Sequence, residues 1–344
     1  MGLSRAALDR MCRELTGRPT YTLRELTGAR GVISRYTASS EAALVGHFVA
    51  DERWVIKAKA PGREVRRRLA ETYTRFDVLV AELQRAQTPS LLDDCHIREL
   101  AIYELASPAI RELAPAVARV WRDDTAEVYA IAMELLANVR HADTLDDLDA
   151  WEPRDIAAVL TAIARVHAEF RGAPPACVVP FRELHTDSLL AYQAELLRYN
   201  AGAFPELFDA ARVRRLEALL AAAPARWRAI AERPLTLVHG DLTPRNVCLR
   251  ADGRACAYDW ELAQAHLPAR DVCEFLCYVL RPTAWRDDFT ATLLAPYRDE
   301  LALAIAELCT FKLLVQGITH QLLGKRRYFE RLVHNAFACI EVVS

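Results

Sequence analysis

The hydrophobic pattern divides the chain into a strand-rich first third and a helical remainder. "MGLSRAALDRMCREL" reads as an amphipathic helix and lacks the apolar stretch of a secretory signal. "YTLREL" (21–26), "AALVGHFVA" (42–50) and "RWVIKAK" (53–59) carry β-branched and aromatic residues and read as strands. A turn-rich link containing Gly28 and Gly31 separates the first two. From Arg63 to Gln87 the apolar positions Val65, Leu69, Tyr73, Phe76, Val80 and Leu83 fall on one helical stripe. A second helix is expected over His96–Ala106. "APAVARVW" and "EVYAIAMEL" flank "RDDT" at 122–125, which is a hairpin signal.

Beyond Thr144 the pattern turns helical, beginning with the acidic run "DTLDDLD" at 143–149, read as a helix start. The later strand candidates are "LTLVHG" (235–240), "NVCLR" (246–250) and "ACAYDW" (255–260), with "ADG" at 251–253 as a turn. An α+β, two-lobed chain is expected: residues 1–134 form a small antiparallel lobe with an inserted helix at about 63–87, and 135–344 form a larger helical lobe.

Composition narrows the partners. With 44 Lys plus Arg against 46 Asp plus Glu, the formal charge is −2, which gives no reason to expect nucleic acid. The nine Cys are scattered and contain no Cys-x-x-Cys pair, so they are expected as reduced core residues. No apolar run reaches membrane-spanning length, and a cytoplasmic protein is expected.

The chemistry concentrates in "LVHGDLTPRN" at 237–246 and "YDW" at 258–260. Phosphoryl transfer needs positioning, charge neutralisation by metal, and a carboxylate that receives the acceptor hydroxyl's proton. Asp241 follows His239 and Gly240 at the end of an apolar strand; Asn246 lies five residues on, and Asp259 ends the next hairpin strand. An amide and a carboxylate suit magnesium, which prefers oxygen ligands and takes few from protein. A strand lysine must reach the phosphates from the opposite side, and Lys57 ends "VIK" at 55–57. Lys59 shares its strand parity and competes for the role. Taken singly, each acidic or amide residue would be an ordinary turn residue; the joint spacing favours a site.

These pieces, with Pro268 and Asp271 of "HLPARD", resemble the aminoglycoside phosphotransferase and choline kinase family over about residues 20–280. The resemblance implies the bilobal protein-kinase-like fold and ATP or GTP with Mg2+ as cofactors. It implies Asp241 as catalytic base, Asn246 and Asp259 as magnesium ligands, and His239 as a brace for the catalytic loop. Lys57 would bind the α and β phosphates, and Asp271 would buttress the catalytic-loop backbone. "AMELL" at 132–136 would link the lobes, with backbone at Glu134 and Leu136 holding adenine. Gly28 and Gly31 are the only glycines available to a phosphate-covering loop, and no GxGxxG occurs. Glu71, Glu82 and Glu99 are the candidate partners for Lys57, with Glu99 preferred because its helix directly precedes the link to the next strand. His167 lies on an apolar helix face and is expected in the core.

Only eleven residues separate Asp259 from Asp271, leaving no room for a peptide-docking platform and favouring a small-molecule hydroxyl acceptor. The basic residues of 301–344 (Lys312, Lys325, Arg326, Arg327, Arg331) argue against a polycationic aminoglycoside. The Ala/Arg-rich composition is associated with bacteria in which such kinases serve antibiotic resistance or natural-product biosynthesis. Two alternatives stay open. One is phosphorylation of Ser or Thr in a biosynthetic precursor peptide with a partner protein, for which the Arg66–Arg68 run would serve. The other is a nucleotide-binding pseudokinase scaffold.

Overall fold

A computed structural model describes residues 3–26, 44–73, 90–141 and 147–343 of the protein. Gly28, Gly31, Glu82, residues 74–89 of the expected long helix and most of the acidic 143–149 run lie outside the described residues.

The first lobe is a five-stranded antiparallel sheet of β1 (Leu23–Glu25), β2 (Gly46–Ala50), β3 (Trp54–Lys59), β4 (Val117–Asp123) and β5 (Val128–Glu134). The strands lie in the order β1-β2-β3-β5-β4. The central strand β3 shows how strand alternation divides labour. Ile56 and Ala58 point to one face and pack with Phe48, Ala130 and Ala132. Leu8, Met11 and Cys12 of the Arg5–Thr16 helix close that face. Ser4 caps this helix by accepting from the Ala7 N–H at 3.1 Å. The other parity of β3 presents Val55, Lys57 and Lys59 toward the Cys95–Glu104 helix. Two lysines are therefore buried by the same alternation that buries the apolar residues. Burying them is tolerable because carboxylates meet both, one of them from that helix.

The turn of the β4–β5 hairpin spans 124–127, so "RDDT" is split between the end of β4 and the turn. The Gly62–Tyr73 helix carries the Arg66–Arg68 run. Arg67 pairs with Glu64 and Glu71, Arg68 with Glu64, and Arg66 with Asp93 at 2.8 Å.

The second lobe is mainly helical. Val272, Phe275 and Leu276 of the Ala269–Val279 helix pack with Leu301, Ile305 and Leu308 of Arg298–Thr310 and with Phe329, Leu332 and Val333 of Arg326–Val343. Two small ribbons sit on this base: β6 (Thr236–Val238) with β9 (Gln264–His266), and β7 (Val247–Leu249) with β8 (Ala255–Ala257). The sequence pattern omitted β9, whose three residues pair with β6 well upstream. All nine cysteines are free thiols, and all but Cys177 are buried. No single helix among the described residues is long and apolar enough to cross a membrane.

Candidate active site

β6 delivers the chain to His239, Gly240 and Asp241 with a sharp reversal. Gly240 has φ +76°, and a Cβ there would collide with the carbonyl oxygen of Leu262. The turn is held by Asp271, whose carboxylate accepts from the backbone N–H groups of His239 (2.7 Å) and Gly240 (3.0 Å). Asp271 also pairs with His167 Nε2 at 3.1 Å. His167 is thus a buried residue, as its apolar surroundings suggest, and it also reaches the His239–Asp241 loop through Asp271, which periodicity does not reveal. Burial pushes the Asp271 carboxyl up, but the hydrogen bond from His167, the nearby histidines and the backbone donors hold it below its usual range.

His239 is fully buried, with its ring 4.5 Å from that of Trp260. Its Nδ1 accepts from the Asp241 N–H at 3.3 Å, so Nε2 carries the hydrogen and donates to Tyr258 O at 3.0 Å. The imidazole links the loop bearing Asp241 to the hairpin end bearing Asp259. Asn246 completes the loop: Nδ2 donates to Asp241 O (2.9 Å) and Oδ2 (2.7 Å). The β7–β8 register Val247↔Ala257, with Tyr258 N–H donating to Asn246 O at 3.0 Å, brings Asn246 and Asp259 to the same end of the hairpin. Asp259 occupies the left-handed region (φ +70°), a strained conformation concentrated at functional sites.

Across the cavity, Lys57 Nζ donates to both Glu99 oxygens (2.9 and 2.8 Å) and to Asp259 Oδ1 (2.5 Å). Lys59 contacts Glu99 as well and donates to Glu261 at 2.7 Å. The two candidates of equal strand parity therefore share one carboxylate and differ in the second: Lys57 takes Asp259, Lys59 takes Glu261. Burial alone would lower the pKa of Lys57. Asp259, Glu99 and Glu261 outweigh it and raise it well above the usual lysine range. Burial pushes the Asp259 carboxyl up, yet the Lys57 and Lys59 ammoniums hold it below its usual range. Oxygens of Glu99, Asp259 and Glu261 lie within 4.8 Å of one another. The lysines engage Glu99, Glu261 and, through Oδ1, Asp259; the carboxylate of Asp259 and the side-chain oxygen of Asn246, whose nitrogen is turned to Asp241, are oxygen donors of the kind a hard cation takes.

Sequence reasoning named Lys312 only as one of several basic residues near the C-terminus. Its ammonium lies 2.5 Å from Asp241 Oδ1, 3.1 Å from Glu274 Oε1 and 3.4 Å from Gly240 O. Burial raises the Asp241 carboxyl, and Lys312, with Arg245 and His239 adding, brings it net below the usual value. No local motif flags Lys312, since it sits 71 residues from Asp241 on another element.

A cavity of about 550 Å³ joins these groups, with Lys57, Leu136 and Asp259 on one side and Asp241, Lys312, His320 and Tyr328 on the other. Glu134 and Leu136 both line it. The Glu134 carboxylate accepts from Arg250 (2.5 and 3.2 Å) and from the Ala116 N–H (2.8 Å), tying the end of β5 to β7 and its turn. The Glu134 and Leu135 N–H groups donate to Ala116 O and Arg53 O. The backbone there is held rigidly beside the cavity.

A family model described as the phosphotransferase enzyme family matches residues 47–308. The chain belongs to this family. It is a phosphotransferase with an alcohol group as acceptor. Solved structures share its protein-kinase-like fold. Spectinomycin phosphotransferase APH(9)-Ia, in an AMP-bound complex, aligns with a TM-score of 0.56 at 14% identity, over 97% of this chain and 98% of that one. Aminoglycoside phosphotransferase APH(2'')-Ib, bound to ADP, aligns at 0.50 and 16% identity, over 98% and 100%. Choline kinase LicA from Streptococcus pneumoniae aligns at 0.48 and 12% identity, over 94% and 98%. No curated protein matches the chain in sequence.

Proposed function

We propose that the protein transfers the γ-phosphate of ATP or GTP, with magnesium, to a hydroxyl of a small molecule. The observation that carries this reading is the convergence of Asp241, Asn246, Asp259 and Lys57 on one cavity from three separate segments. Similar folds are named in complex with AMP and ADP, which supports a nucleotide in this cavity.

Asp241 orients the acceptor hydroxyl and takes its proton. The acceptor oxygen forms a bond to the γ-phosphorus as the bond to the β–γ bridging oxygen breaks, and that electron pair leaves with the nucleoside diphosphate. Asn246 holds one Asp241 oxygen in place, so the carboxylate is oriented before the acceptor arrives. Lys57, fixed by Glu99, offers its ammonium to the α and β phosphates. Leu136 supplies a backbone N–H to the base. Magnesium, held by Asp259 and Asn246, would neutralise the phosphate charge. The enzyme is placed in the cytoplasm, where its nucleotide donor is found.

A small acceptor follows from the short path between Asp259 and Asp271, which consists of a single turn (Trp260–Leu262) and β9 bound to β6. Its charge follows from the wall around Asp241. Lys312 and Arg245 are cationic, and His320 is neutral because burial lowers its pKa to about 3. A polycation would meet cations there, whereas a neutral or anionic hydroxyl compound would not. The peptide reading rested on Arg66–Arg68, and those guanidiniums are engaged within the lobe.

Magnesium-dependent nucleotide consumption, with product mass read across aminoglycosides, macrolides, amino alcohols and Ser/Thr-rich peptides, tests the proposal. One phosphoryl group gained by a small molecule supports it. The same gain on a peptide, or turnover unchanged in Asp241→Ala, sinks it.

A further inference from the structure

Lys312 is the first residue of the Lys312–Leu323 helix, directly after a bend at Phe311. Folding alone gives little reason for a lysine there. A cation at a helix N-terminus opposes the helix dipole, and a buried ammonium loses its hydration. Glu274 does not depend on it alone: Arg270 donates to Glu274 Oε2 at 2.9 Å while also bonding Glu307 at 3.0 Å, and Lys312 stands 3.1 Å from Oε1. Its shortest contact, 2.5 Å, is to Asp241 Oδ1, while Asn246 occupies Oδ2.

That oxygen is where the acceptor hydroxyl has to arrive. When it does, the ammonium must give up or share its hydrogen bond, and the nearest new negative charge is on the transferring phosphoryl group. An acceptor oxygen bonded to Asp241 lies about 3 Å from the phosphorus in a near-attack arrangement, within the swing of a lysine already at the carboxylate. The transition state spreads charge over the equatorial phosphoryl oxygens, where fixed cations act most strongly. Lys57 serves the opposite side, anchored on Glu99.

We propose that Lys312 is a catalytic residue that contacts the phosphoryl group in flight, handing Asp241 Oδ1 to the acceptor hydroxyl as it does so. The inference rests on the reading of Asp241 as the base. The step adds no reactant: Asp241 gains the acceptor proton, the phosphoryl moves to the acceptor oxygen, and Lys312 keeps its protons throughout.

The test uses the full chain with magnesium and ADP, titrated with and without aluminium fluoride, a planar mimic of the moving phosphoryl group. Hydrolysis of ATP with water as acceptor is measured alongside. In the wild type, fluoride tightens ADP binding. Lys312→Met should bind ADP alone within about twofold of wild type, lose at least tenfold of the tightening, and lose about 10²-fold in hydrolysis, the effect of deleting one oxyanion donor. Lys312→Arg should restore much of both. If Lys312→Met does not fold, Lys312→Gln gives the same reading. Full fluoride tightening in a folded Met or Gln variant overturns the proposal, because a lysine serving only the fold would leave it intact. A wild type that binds no nucleotide at all refutes instead the function on which it rests.

Discussion

Lys57 bridges Glu99 and Asp259 on one side of the cavity, and Lys312 bridges Glu274 and Asp241 on the other. In both halves an ammonium ties a fully buried carboxylate to a partly buried one that lines the cavity. The routes to that arrangement differ. Lys57 and Lys59 are buried by strand alternation in β3, one helix away from their partner. Lys312 reaches Asp241 only because the Ala269–Val279, Arg298–Thr310 and Arg326–Val343 helices pack into a single core and place the bend at Phe311 beside the loop. The first half owes its buried lysines to short-range strand alternation, although Lys57 then meets Glu99 and Asp259 across 42 and 202 positions; the second owes its lysine to helix packing alone.

The sharpest way to break this comparison is to truncate one residue from each half. Asp241→Ala should lower turnover by about 10³-fold while nucleotide affinity holds, because the base acts only in the transition state. Lys57→Met should weaken nucleotide binding as well as turnover. Calorimetric titration and steady-state kinetics separate the two, and identical profiles would dissolve the division into halves.

Next in size is Glu99→Gln. It leaves two buried ammoniums, Lys57 and Lys59, without the carboxylate they share, at a cost of about 4 kcal/mol in urea unfolding. A loss near zero would mean that Asp259 and Glu261 suffice to hold both lysines. Gly240→Ala follows, at about 3 kcal/mol, since the left-handed turn and the Leu262 carbonyl leave no place for a Cβ. Its turnover should fall too, because Asp241 is carried by that turn.

The smallest effect concerns pH. Burial lowers His320 from 6.5 to about 3, so the unfolded chain takes up a proton near pH 6.5 that the folded chain refuses. Stability then rises with pH across this window and is lost on acidification, by about 2 kcal/mol from this residue between pH 7 and 5. His320→Asn should flatten the slope by that amount. His47 and His96, both lowered to about 4 by burial, leave a residual slope of the same sign. An unchanged slope in the variant would show that His320 is solvated in the folded protein.

How much was legible follows the same division. The strands at 46–50, 54–59, 117–123 and 128–134 come from alternation and turn residues within ten or so positions, and the order His239, Asp241, Asn246, Asp259 is confined to one stretch of chain, from the end of β6 to just past β8. β9 was hidden because its three residues pair with β6 well upstream, in the register Thr236↔His266, Leu237↔Ala265 and Val238↔Gln264. The partnership of His167 with Asp271 joins residues 104 apart, and neither end carries a local signal.

By itself, the sequence determined the lobe order, the parity that turns Lys57 and Lys59 to one face, and the spacing of His239, Asp241, Asn246 and Asp259, since all three depend on backbone geometry over short stretches. Only the tertiary structure decided that Glu99 serves both lysines, that Asp271 and His167 clamp the turn at Gly240, and that Lys312 closes on Asp241. Those contacts depend on where buried charges can be matched once the helices have packed, and the matching is a property of the whole core.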